Sequence, residues 1–212
     1  MLIFSVHGDT NFKNHQLHTF PDGRIQGHLD NFAGVHCIMN AYFSGKLNKD
    51  YVRVEITYGE ETDMEGAREL RKEITPRDVI VVIDVTGTVT QKSFVIEKCF
   101  NAKIRRFLNE ILADMDCDVF ENCPDEIAQQ DETDVYRKVA PFCFFLGVPV
   151  QGGDYNEGMV FSHVKTLEAV KEAVIRIVEK YPDFVERHAL NVNTEPKNEL
   201  DIDEGALGFL TL

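Results

Sequence analysis

The sequence predicts an α/β protein, a three-layer αβα sandwich around a mixed, mostly parallel central sheet. Three observations carry that reading. Short apolar runs alternate along the chain with helical patterns, the order of an α/β domain. The run Val79-Ile80-Val81-Val82-Ile83 is β-branched throughout, as in a central strand buried on both faces. Residues 104, 107, 108, 111, 112 and 115, and later Leu167, Val170, Val174, Ile177 and Val178, repeat at helical spacing.

Residues 1–6 are apolar and read as a first strand. Residues 31–44 read as a helix with Ala33, Cys37, Ile38 and Ala41 on one face. From Tyr51 to Tyr58, Val52, Val54 and Ile56 alternate with Arg53, Glu55 and Thr57, the period of a strand. A helix is expected over 64–74, a strand over 79–83 and another over 93–98. The two helices named above span 103–115 and 164–180, the second with Glu172 and Arg176 paired four apart. Phe142 to Leu146 and Val148 to Val150 read as buried strand. Periodicity fades after residue 190. The expected organisation is one domain over 1–189 and an extended tail over 190–212, where Ala206 to Leu210 could dock.

The chain has 212 residues, enough to bury a core without disulfide staples. With 22 basic and 36 acidic residues its net charge is −14, the wrong sign for bulk binding to nucleic acid or to an anionic membrane surface. A hydrophobic content of 43% with 15 Phe excludes a disordered chain. No run is long and apolar enough to span a bilayer. Met1 to Val6 lacks the basic start of a signal peptide. The five cysteines are scattered, with no Cys-x-x-Cys, and read as structural thiols of a cytoplasmic protein. A Cys117–Cys123 bridge is the alternative.

The chemistry-bearing residues stand where strands end or helices begin. His7-Gly8-Asp9 follows the first strand, Asp30 precedes the first helix, Glu60-Glu61 follows the strand over 51–58, Asp84 ends the central strand, and His163 precedes the last long helix. Ligands of open α/β sheets bind beyond the carboxyl ends of the strands. Taken singly, each has an ordinary explanation: Asp30 as a helix N-cap, Glu60-Glu61 as solvated loop charge, His163 as a capping residue. Taken together they form a nitrogen and oxygen donor set without thiolate, suited to zinc, manganese or cobalt. Carboxylates this close repel unless cations neutralise them, and two divalent ions would do so. A Glu beside such a pair is a natural general base.

In order, His-x-Asp, the block Gly27-His28-Leu29-Asp30-Asn31-Phe32-Ala33-Gly34, the block Glu60-Glu61 through Gly66-Ala67, Asp84 after a strand, Gly147-Val148-Pro149 and a late His resemble the co-catalytic di-zinc exopeptidases, the metallo-aminopeptidases and carboxypeptidases with a phosphorylase/hydrolase-like core. The resemblance implies that His7, Asp30 and Asp84 hold one ion and that Asp30, Glu61 and His163 hold the other. Asp30 would bridge, Asp9 would orient His7, and Glu60 would act as general base. It implies two divalent ions, zinc first with cobalt or manganese as alternatives, and a peptide or N-acyl amino acid substrate. The expected activity is that of an aminopeptidase on short peptides. A carboxypeptidase, a small-molecule deacylase and a silent metal- or peptide-binding relative are the alternatives. A homo-oligomer is also compatible.

The intervals between these residues leave no room for an inserted lid or dimerisation domain. His7 lies nearer the start than in relatives, so part of the sheet edge or cleft is expected to be missing or supplied by another chain. Thr133-Asp134 resembles a Ser/Thr-Asp pair of the family. The segment Gln151 to Gly158 either lines the cleft or only turns. His15, His18 and His28 read as a solvated loop with a ligand role as the alternative, and the acids between Phe107 and Tyr136 as a solvated face.

Overall fold

The computed structural model describes residues 1–125 and 130–188. The expected tail and the docking of 206–210 lie outside the described residues. Strand β1 (Leu2–His7) alternates Leu2, Phe4 and Val6 against Ile3, Ser5 and His7, so its two faces enter different layers. It pairs in parallel with β4 (Val52–Thr57) on one side and β5 (Val79–Thr86) on the other. Strand β8 (Phe142–Pro149) continues the parallel ladder beside β5. Strand β6 (Phe94–Glu97) runs antiparallel to β8, and β7 (Cys117–Val119) closes that edge in parallel with β6. The order is β4-β1-β5-β8-β6-β7, a mixed and mostly parallel sheet as expected.

Helices cover both faces. On one, α1 (Phe32–Phe43), α3 (Ala102–Ile111) and α5 (Val164–Arg187) bury Leu2, Phe4, Val81, Ile83, Phe94, Phe144 and Leu146. On the other, the short α2 (Glu65–Leu70) and α4 (Glu132–Tyr136) cover Ile3, Ile80, Val82, Cys143 and Phe145. Each fully buried Phe or Leu contributes roughly 1.5–3 kcal/mol of transfer free energy, so the larger layer carries most of the core's stabilisation. All five cysteines are free thiols, so the Cys117–Cys123 alternative is not formed. Among the described residues no helix is long and apolar enough to cross a membrane.

A second sheet was not foreseen. Strands β2 (Leu17–Thr19), β3 (Arg24–Gly27) and β9 (Val160–His163) form a three-stranded antiparallel sheet. Its hairpin turns through Pro21-Asp22-Gly23, where Gly23 takes φ +85° and Asp22 Oδ1 accepts from Arg24 N at 3.0 Å. That Pro-Asp-Gly signal stands in the sequence. The strands are only three or four residues long, and β2 is exposed throughout, which is why hydrophobic alternation does not reveal them.

Candidate active site

The site begins with register. Leu2 pairs with Val79 and Ser5 with Val82, and the same offset sets His7 level with Asp84 at the carboxyl ends of two adjacent parallel strands. Both side chains stand on the face that holds Ile3, Ile80 and Val82. Asp30 arrives from the other direction, on the loop that enters α1. Its neighbour Asn31 fixes that loop: Asn31 Oδ1 accepts from Gly34 N at 2.9 Å as the helix N-cap, and Asn31 Nδ2 donates to Ile83 O at 2.8 Å. Asn31, not Asp30, is therefore the cap, and Asp30 is left for other work. The Asp30–Asn31 peptide is cis.

His7 Nε2 lies 3.1 Å from Asp84 Oδ2 and 3.2 Å from Asp30 Oδ1. The three residues are only 2%, 4% and 8% exposed for His7, Asp30 and Asp84. One ligand atom from each lies within 4.8 Å of the others, the spacing of a single cation site. His7 Nδ1 lies 3.2 Å from the carbonyl oxygen of Asp9 and 3.6 Å from its Oδ1. The imidazole is thus oriented chiefly by the Asp9 backbone. The Asp9 carboxylate instead accepts from Glu60 N and Glu61 N, each at 3.4 Å, and ties the Glu60-Glu61 turn to the end of β1.

Glu60 and Glu61 line the same cavity as Asp30 and Asp84. Glu61 Oε2 accepts from Asn11 Nδ2 at 2.6 Å, while its Oε1 is buried without a hydrogen-bond partner among the described residues. Burial, then the charge of Asp84, pushes the Glu60 carboxyl up to about 8. Burial, then Asp30, pushes Glu61 up to about 7. Asp84 is raised by burial and by Asp30 in spite of His7. Burial lowers the His7 pKa, yet Asp84 and Asp30 outweigh it and hold the imidazole up to about 12. A compact group of acids that resist ionisation, around one imidazole that keeps its proton, is an arrangement that a bound cation would relieve. The orphaned Glu61 oxygen and the oxygen and imidazole donor set fit a divalent cation such as zinc, manganese or cobalt.

The cavity holds about 340 Å³. Its far wall is made by Thr86, Glu97, Lys98, Cys123 and Asp131, and its rim by Tyr155, Asn156 and Glu157. Of the segment over 151–158, Tyr155 to Glu157 therefore line the cleft, while Gln151 lines a separate depression. Sequence reading missed the far wall. The signal was present: Glu97 ends the apolar run Phe94-Val95-Ile96 as Asp84 ends its own. Thr133-Asp134 opens α4, where Asp131 and Asp134 form a capping box and both bind Lys98 Nζ, at 2.8 and 3.3 Å.

His163 is not brought to the cavity that Asp30, Glu60, Glu61 and Asp84 line. It sits at the end of β9, paired with Arg24 of β3, and both ring nitrogens are engaged there. Nδ1 accepts from Lys165 N at 3.1 Å as the N-cap of α5, and Nε2 lies 3.0 Å from Asp22 O. Its ring faces a separate depression with Arg24, Phe161 and Lys165, not the cavity of His7, Asp30 and Asp84. Pairing of β9 to β3 in the small sheet, which was not foreseen, sets His163 beside Arg24. His15 and His28 pack with Phe12 as a separate aromatic group, with ring centroids 6.3 Å apart between the two histidines.

No protein-family model matches the chain, and no curated protein matches it. Solved structures do. An aminopeptidase from the archaeon Desulfurococcus kamchatkensis superposes with a TM-score of 0.66 at 16% identity, over 82% of this chain and 54% of that one. A TET aminopeptidase from the marine sediment archaeon Thaumarchaeota archaeon SCGC AB-539-E09 gives 0.66 at 14% identity, over 84% and 55%. The Pyrococcus horikoshii TET1 peptidase, described as assembling into a tetrahedron or an octahedral shell, gives 0.62 at 16%, over 78% and 53%. The chain spans about half the length of these neighbours. At this identity the likeness is one of fold: the central sheet of this chain and the helices that flank it are arranged as in the TET aminopeptidases.

Proposed function

We propose that the chain is a divalent-metal-dependent hydrolase of amide bonds, acting as an aminopeptidase on short peptides. One observation carries the reading. His7, Asp30 and Asp84 converge at the carboxyl ends of β1 and β5, and Glu60 opens onto the same cavity. The likeness in fold to aminopeptidases supports it.

His7, Asp30 and Asp84 would hold one ion, and Asp30 with Glu61 would hold a second. When bound, such ions supply Lewis-acid polarisation of a scissile carbonyl and lower the pKa of water. The residues of the chain do the rest. His7 must surrender the proton that Asp84 and Asp30 hold on it before its Nε2 can act as a ligand. Glu60, the carboxyl left outside the ligand set, takes the proton of the attacking water and passes it to the leaving amine. Burial and the charge of Asp84 raise its pKa to about 8, and cations beside its neighbours would favour the ionised form that a general base needs at neutral pH. Asp9 holds the backbone of Glu60 and Glu61 so that the base keeps its place.

The test is Glu60→Gln. Metal content by mass spectrometry should stay at the wild-type level while hydrolysis of aminoacyl-anilides falls by about 10²–10⁴-fold, the usual contribution of a general base. Retained turnover in that variant refutes the role. A second reading, a metal- or peptide-binding relative without turnover, is favoured by the placement of His163, which leaves the second ion with two protein ligands from the set. Bound metal with no hydrolysis across an anilide and dipeptide panel selects that reading.

A further inference from the structure

The far wall of the cavity holds a charge that the hydrolytic reading does not use. Glu97 is 2% exposed, yet lines the cavity. The groups around its carboxylate are neutral: Thr86 Oγ1 at 3.3 and 3.4 Å, Cys123 Sγ at 3.3 Å, and the Thr88 side chain. Among the described residues no cation pairs with it. Lys98, next in sequence, is held by Asp131 and Asp134 at 2.8 and 3.3 Å. A carboxylate taken out of water without a counter-charge is costly unless something positive arrives.

Position says what arrives. Thr86 stands two residues beyond Asp84 on the same face of β5, roughly 6.6 Å along the strand. The α-ammonium of a peptide lies two bonds from the carbonyl under attack, about 2.5 Å away, and stays near Asp84. An extended lysine side chain holds its ammonium about 6 Å from its Cα, which spans that interval.

Resting on the peptidase reading above, we infer that Glu97 is the base of a specificity subsite, where it pairs with the cationic side chain of the substrate residue that precedes the scissile bond. Thr86 and Cys123 hold the carboxylate in place, and the ammonium completes it. Substrates that begin with Lys or Arg are the class this site selects.

Calorimetry on the metal-loaded protein tests this independently of turnover. The probes are lysinamide, norleucinamide (the same side chain without its ammonium) and the Nα-acetyl form of each. Wild type should bind lysinamide at least tenfold more tightly than norleucinamide, and Nα-acetyl-lysinamide should keep a preference over Nα-acetyl-norleucinamide. Glu97→Gln should bring the lysinamide to norleucinamide ratio to near one, and Glu97→Asp, which keeps the charge, should restore part of it. Equal binding of lysinamide and norleucinamide to wild type overturns the proposal, and does so even if Glu97→Gln fails to fold. Equal weakening of both ligands by Glu97→Gln assigns the α-ammonium to Glu97 and overturns the side-chain subsite. If no anilide is hydrolysed, the peptidase reading falls while the calorimetric ratio still decides this one. If anilides are hydrolysed with no preference for Lys or Arg over norleucine, the subsite falls while the peptidase reading stands.

Discussion

Asn31 ties the entry of α1 to the end of β5, and Asn31→Ala should damage stability and metal binding together. The side chain is buried and makes two hydrogen bonds, to Gly34 N at 2.9 Å and to Ile83 O at 2.8 Å. Truncation leaves both backbone groups buried without a partner, at about 1–3 kcal/mol each. Some water entry will relieve part of that, so a net loss of about 2–4 kcal/mol is expected, with the lost N-cap included. For a chain of this size that corresponds to roughly 4–16 °C in Tm. The same loop carries Asp30, so its displacement should weaken zinc binding by tenfold or more. Denaturation in guanidinium chloride gives the first quantity, and competition with a chromophoric chelator gives the second. Asn31→Asp separates the two bonds, since it keeps the acceptor for Gly34 N and loses the donor to Ile83 O. Stability within 0.5 kcal/mol of wild type, with zinc affinity unchanged, would refute the reasoning.

The metal-free protein should lose stability as pH rises. Glu60 and Glu61 release their protons in the folded state near 8 and 7 against an ordinary 4.5, so the folded state binds more protons between about pH 4.5 and 8 and is progressively disfavoured across that window. His7 acts in the same direction: its stabilisation is complete below pH 6.5 and fades as pH climbs toward 12. Thermal melts in EDTA should therefore give a higher Tm at pH 5 than at pH 8, with zinc raising Tm more at pH 8; a chelated protein more stable at pH 8 contradicts this. His163→Ala removes the cap of α5 and should cost about 1 kcal/mol without changing metal stoichiometry. A lost metal equivalent in that variant would return His163 to the site.

Much of this was legible because burial on both faces leaves a plain record. Val79 to Ile83, the alternation over 52–57 and the apolar spacing of α3 and α5 each reveal an element within a few residues of its ends. His7, Asp30, Glu60, Glu61 and Asp84 could be picked out because polar residues at strand and helix ends stand out against apolar runs, and the structure brings them close together. The small sheet was hidden because its strands are short and half exposed, and with it went the true surroundings of His163. The reversed direction of β6 was equally invisible, since periodicity along a strand does not record which way its neighbour runs. Asn31 was overlooked beside the more conspicuous Asp30, although both precede the same helix.

Gly147 breaks the otherwise bulky run of β8. A Cβ there would sit 2.7 Å from Thr86 Cγ2 and 2.8 Å from Val95 Cγ2. The bare backbone lets the side chains of β5 and β6 meet over β8, and the Thr86–Glu97 contact is made across that gap. Gly147 is also the register partner of Asp84, so the wall of the recess and one proposed metal ligand meet at the same level of the sheet. A side chain gained at this one position would crowd Thr86 and Val95 at the level of Asp84, so that in this fold selectivity and catalysis are tied to a shared backbone position and evolve together.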